Sequence, residues 1–220
     1  MSDYASLARR LEAALGASEA VGVVIQASDR DAPPTGAVEA SCVHWSKALA
    51  TGSTRRTVAA DHAGCSVGSY VHGFATREQA AQAEDTAMLV AAGWVEPEAL
   101  AELPTLPAGT GRLDYVPIAE LEVDPELVLL SLSPEQLMAV QAAIPALKLT
   151  GKPQCQVVPL AAAGVPCASL GCAVSRARTG ADPGRMTCAL PTDTLLDAVD
   201  ALETAARADR AASDAIRAMQ

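Results

Sequence analysis

The stretch Leu127-Val-Leu-Leu130-Ser-Leu-Ser133-Pro-Glu-Gln136 sets a strand and a helix start back to back. Leu127-Val-Leu-Leu130 is a short apolar run of strand type. Ser133 then offers a capping hydroxyl, Pro134 suits the first helical position, and Gln136 completes a capping box. The helix that begins there is predicted to end near Pro145. Strand followed at once by capped helix gives the chain its α/β character.

The same mixture extends outward in both directions. Upstream, residues 3–15 place Tyr4, Leu7, Ala8, Leu11 and Leu15 on one helical face, and Gly16 can end that helix. Val21-Gly-Val-Val-Ile25 reads as a buried strand, and residues 28–37, with Asp29, Asp31, Pro33, Pro34 and Gly36, as a loop. Residues 42–50 read as a helix closed near Gly52, and residues 54–59 as a strand. Residues 65–74 hold turn residues and a short helix. Residues 77–92 form one helix, 97–103 a shorter one, and 104–111 a second loop. Tyr115-Val-Pro-Ile118 is a strand that Pro117 assigns to a sheet edge. Downstream, residues 154–160 are strand-like, Met186 to Leu190 form a last strand, and Pro191-Thr192 opens a C-terminal helix bearing Leu195, Leu196, Val199 and Leu202.

Strands and helices interleave without strict alternation. The expectation is an α/β or α+β fold, a mixed sheet with packed helices, rather than a doubly wound parallel sheet. Residues 1–207 are read as a single compact domain and residues 208–220, rich in alanine and charge, as a helical tail facing solvent or a second copy of the chain.

Composition narrows the function classes. The 220 residues carry a net charge of −10 and only 3% aromatics. Nucleic-acid binding needs clustered Lys and Arg or stacking aromatics; no such cluster occurs and aromatics are scarce, so nucleic acid is not an expected partner. No segment has the charge and apolar pattern of a signal peptide, and no run of about 20 apolar residues suits a bilayer span. A cytoplasmic protein without membrane contact is expected, and in that reducing compartment the six cysteines are not a disulfide framework. They are buried fillers, reactive thiols or metal ligands.

The common fingerprints are missing: no Walker phosphate loop, no Rossmann glycine signature, no Gly-x-Ser-x-Gly elbow, no Cys-x-x-Cys and no His-Glu-x-x-His. What remains is two groups of soft side chains. Cys42, His44, His62 and Cys65 lie in the N-terminal third, and Cys155, Cys167 and Cys172 lie around Gly164 and Gly171. His62 is the best substitute ligand among the histidines, and His72 is a candidate for acid–base work or haem ligation.

Three segments carry a resemblance. They are Cys42-Val-His-Trp-Ser-Lys-Ala48 with Gly52, then Cys65-Ser-Val-Gly68-Ser-Tyr70-Val-His-Gly73, then Cys155 followed by Ser169-Leu-Gly-Cys172-Ala-Val-Ser-Arg176. Together with Asp124 to Leu130 and Ser133 to Met138 they resemble the prokaryotic family known as domain of unknown function 169. The likeness covers most of residues 20–203. It singles out Cys42, Cys65, Cys155 and Cys172, whereas Cys167 and Cys188 fall where the pattern asks for no cysteine.

The resemblance implies positions rather than a reaction, and no catalytic residue follows from it. Four thiolates from separated segments suit an iron–sulfur cluster or zinc, with haem a further option. Gly68, Tyr70, Ser169, Gly171 and Arg176 are expected to line a cofactor- or ligand-binding cleft shared with Cys65, in which Arg176 grips an anion. The leading expectation is a metal- or iron–sulfur-cluster-binding protein with a redox or small-molecule partner. The alternatives are an anion-binding sensor whose cysteines are structural, or a thiol enzyme using Cys65 with His62 or His72.

Overall fold

The computed structural model describes residues 3–16, 20–29 and 31–220. Asp3 caps the first helix, α1 (Tyr4–Leu15), by accepting a hydrogen bond from the amide of Ser6. Strand β1 (Ala20–Gln26) follows, then α2 (Ser41–Thr51), β2 (Arg55–Val58) and α3 (Ser66–Val71). Next come α4 (Arg77–Gln82), α5 (Glu84–Ala91), β3 (Arg112–Pro117), β4 (Leu127–Leu132) and α6 (Pro134–Ala143). The chain continues through β5 (Lys148–Thr150), α7 (Val157–Ala162), β6 (Cys167–Ser169), α8 (Ala173–Thr179), β7 (Met186–Pro191) and α9 (Thr192–Ala218). No helix among the described residues is long and apolar enough to cross a membrane.

The strands form one mixed sheet in the order β2-β3-β1-β4-β7-β6-β5, antiparallel except for the parallel pair β5 and β6. Strand β4 sits at the centre, and its unbroken apolar run is buried on both faces. Alternation sends Val128, Leu130 and Leu132 to one side and Leu127 and Leu129 to the other. The first side packs Leu7 and Leu11 of α1, Leu137 and Val140 of α6, and Leu195, Val199 and Leu202 of α9. The second packs Trp45 and Leu49 of α2, Val67 and Val71 of α3, and Val157 and Val158 of α7. Two helical layers around one mixed sheet make this a single α/β domain, as the interleaved elements imply.

Several local readings need correction. Residues 154–160 are not a strand: a 3-10 turn at Gln154–Gln156 runs into α7. Pro159 cannot donate to a sheet ladder, but in the first turn of a helix the amides have no intrahelical acceptor, so proline is tolerated there. The helix read over 77–92 is broken at Ala83, which is extended (φ −73°, ψ 145°). Strand β3 is interior rather than at an edge. Pro117 fits because β2 pairs only as far as Tyr115, so no neighbour on that side seeks its missing amide hydrogen. The C-terminal helix runs unbroken past Arg207 to Ala218, and its last residues are mostly exposed.

Candidate cysteine site

Four cysteines occupy the first turns of four separate helical segments on the α2 side of the sheet. Cys42 is the second residue of α2. Cys65 is the N-cap of α3, its sulfur accepting a hydrogen bond from the amide of Gly68 at 3.4 Å. Cys155 lies in the 3-10 turn that leads into α7. Cys172 is the N-cap of α8, its sulfur accepting from the amide of Ser175 at 3.3 Å, while Ser175 Oγ accepts in return from the amide of Cys172. A thiol thus fills the capping place that serine or aspartate usually takes.

These starts converge. Cys42, Cys65, Cys155 and Cys172 line one small, mostly apolar cavity of about 30 Å³, whose wall also includes Ser41, Gly68, Gln154, Ser175 and Arg178. Gly68 packs closely here: a Cβ would meet Ser41 Oγ at 2.9 Å, and the Ser41 side chain would have to shift. As they stand, no three His, Cys, Asp or Glu side chains among the described residues form a group that could hold a metal ion.

Burial governs the protonation of the thiols. It pushes Cys42 up to about 12, with Cys65 and Cys172 adding to the shift, and pushes Cys155 well above the ordinary thiol range, with Cys65, Cys42 and Cys172 adding to it. Cys42 and Cys155 thus each lie within electrostatic reach of Cys65 and Cys172. Arg178 is the cation of the site. Burial works against its charge, but Cys65, Cys42 and Asp85 more than offset this and raise its pKa. Its Nη1 is buried and without a hydrogen-bond partner. Behind the sulfurs, Tyr115 is fully buried with an unpartnered hydroxyl, its pKa raised first by burial and then by Cys42 and Cys155.

The remaining cysteines sit apart. Cys188 is buried in the core between the sheet and α1, α6 and α9. Cys167 is buried in β6, and its thiol donates to the carbonyl of Val157 at 3.6 Å. Both behave as small hydrophobes.

The other anticipated residues divide between places. Gly68 lies in the cysteine cavity, whereas Gly171 and Arg176 line a separate, larger cleft. Ser169 is fully buried and accepts from the amide of Gly171 at 3.1 Å. Tyr70 packs, half-buried, against the core on the α2 side. The histidines gather in the core beside the cysteines. Thr57 Oγ1 donates to the carbonyl of Leu113, so His62 Nε2 donates to Thr57 at 2.9 Å and its Nδ1 accepts from Ser41 Oγ at 2.8 Å. With both nitrogens engaged, His62 is turned to Ser41 and Thr57. His44 bonds through Nε2 to the carbonyl of Asp61, and His72 through Nδ1 to the carbonyl of Gly68.

Sequence reading missed Arg178, Gln154 and Ser175. For Arg178 the signal was helical spacing: it lies three residues beyond Ser175 and so shares the cysteine-facing side of α8, whereas Arg176 is turned about 100° away.

Fold and site define an α/β protein with a four-cysteine cavity fed by helix N-termini. Residues 10–201 match the family described as DUF169, uncharacterised ArCR, and the chain belongs to that family. No curated protein and no solved structure matches the chain.

Proposed function

We propose that this is a cytoplasmic iron–sulfur protein in which Cys42, Cys65, Cys155 and Cys172 hold the cluster. The observation that carries the reading is the meeting of four thiols, each from the first turn of a different helical segment, around one cavity. Soft sulfur donors select thiophilic metals and iron–sulfur clusters.

The surroundings suit an anionic group. Helix N-termini carry partial positive charge, and the amides of Gly68 and Ser175 already point at two of the sulfurs. Hydrogen bonds of this kind tune a cluster's potential. Arg178 adds a full positive charge beside Cys65, and the hydroxyl of Tyr115 is a buried donor that lacks an acceptor. The apolar wall limits solvent. When bound, a cluster supplies one-electron transfer. The chain's own part is to hold the sulfurs, offset their charge and exclude water. Because burial keeps the Cys42 and Cys155 thiols protonated, loading must release thiol protons.

Anaerobic purification followed by visible and electron paramagnetic resonance spectroscopy tests the reading. A brown protein with a paramagnetic signal in one oxidation state is expected. A colourless protein that takes up zinc with the same four cysteines would make the site structural, and one that takes up neither leaves Cys65, half-exposed beside Arg178, as a reactive thiol.

A further inference from the structure

A second cavity adjoins the cysteine site. It is a cleft of about 510 Å³ between α2, α8 and the ends of β4 and β7, lined among others by Ser46, Leu49, Arg176, Asp182 and Thr187. That volume falls within the usual range for small-molecule sites, about 300–1,000 Å³. The two cavities share one buried side chain, Gln154.

Gln154 is the middle of a hydrogen-bonded chain, whose Ser175 hydroxyl also reaches the carbonyl of Cys172 at 3.0 Å. The amide of Cys172 donates to Ser175 Oγ at 3.2 Å, Ser175 Oγ donates to Gln154 Oε1 at 2.6 Å, and Gln154 Nε2 donates to Thr187 Oγ1 at 2.6 Å. Each donor sharpens the next. Among the described residues the Thr187 hydroxyl has no acceptor of its own, and Thr187 lines the cleft. Arg176 is there too. Its guanidinium donates to the carbonyls of Leu170, Asp182 and Arg185, at 2.5, 3.3 and 3.3 Å, and has no carboxylate partner among the described residues.

We propose that this cleft binds a small organic carboxylate, its oxygens facing Thr187 and Arg176 and its carbon body against Leu49. The terminal donor and the guanidinium call for an anion. The apolar flank fits a short carbon chain. Asp182 on the same wall opposes a doubly charged phosphate more than a singly charged carboxylate, and Arg185, which also lines the cleft, is turned to Ser131 and Gln136. The site stands on the cleft's own geometry, whatever the cysteines hold, and Gln154 couples it to Cys172.

The test is a thermal-shift and calorimetric screen of acetate, propionate, butyrate and inorganic phosphate at constant ionic strength. It is run on the metal-free protein and on protein reconstituted with iron and sulfide. At least one carboxylate is expected to bind and phosphate is not. Thr187→Val should weaken that binding at least about tenfold. Because Thr187 is buried and its replacement can disturb the sheet, Ser46→Asp is the second variant: it adds a negative charge to the cleft rim from a half-buried position and should weaken binding similarly. Binding of no carboxylate, preference for phosphate, or binding that survives both substitutions overturns the proposal. Carboxylate binding by protein that never retains iron would remove the cluster reading and leave the cleft intact. Iron uptake without carboxylate binding would do the reverse.

Discussion

The amide of Ser175 lies 3.3 Å from the sulfur of Cys172, and the hydroxyl of Ser175 returns the contact to the amide of Cys172. This closed pair sets the start of α8 and aims a backbone donor at the sulfur. The same atoms therefore serve the fold and the site, and substitution can separate the two roles.

Serine caps helices well. Cys172→Ser should therefore keep α8 and lose no more than about 1 kcal/mol, yet bind far less iron. Cys188→Ser should behave oppositely: a hydroxyl placed in the core costs roughly 1–3 kcal/mol while iron uptake stays as in wild type. Urea denaturation alongside iron analysis checks both, and equal iron loss in the two variants would contradict the assignment.

Arg178 and Arg176 are two residues apart and differ in role. Arg178→Gln removes the cation beside Cys65 and should lower the potential of the bound centre, because the reduced, more negative state loses more attraction. A fall of several tens of millivolts is expected, on the scale of about 59 mV per tenfold change in a one-electron equilibrium. Arg176→Gln should leave the potential near wild type. Redox titration of both variants decides the point.

Acid should destabilise the fold through the buried histidines. Burial lowers His72 to about 4 and His62 well below the ordinary value. Unfolded histidine titrates near about 6.5. Unfolding therefore takes up protons once pH falls below that value. Stability should be level above pH 6.5, decline by as much as about 1.4 kcal/mol per pH unit for each histidine below it, and stop declining from this cause once the folded-state values are passed. Urea midpoints measured across this range, flat from neutral to pH 5, would argue against neutral buried imidazoles.

The end of α9 should matter little. Beyond Arg207 the helix is mostly exposed, and its tie to the body is Arg210 donating to the carbonyl of Ala14 at 2.7 Å. Truncation after Arg207 should cost on the order of 1 kcal/mol, read as a small shift in melting temperature. A large loss without a change in oligomeric state would mean that the end of α9 is part of the core.

Local rules made the helix starts legible. Ser133 and Gln136 form the capping box their spacing implies, and Leu195, Val199 and Leu202 bury the face their period implies. Strands β5 and β6, three residues each, were not legible, because pairing with a distant partner defines them rather than their own pattern. The run Val157-Val-Pro-Leu160 carries β-branched residues and still folds as helix, a case of tertiary packing overriding propensity. The cysteine positions were legible through the family resemblance. Their surroundings were not: Gln154 sits in no motif, and its place between two cavities exists only once α7, α8 and β7 are packed.

Iron and acid-labile sulfide bound per chain, after anaerobic reconstitution of wild type, Cys155→Ser and Cys167→Ser, tests the central claim most directly. The account predicts matched iron and sulfide in wild type and Cys167→Ser, and little of either in Cys155→Ser. Equal loading of all three proteins, or none in wild type, would contradict it.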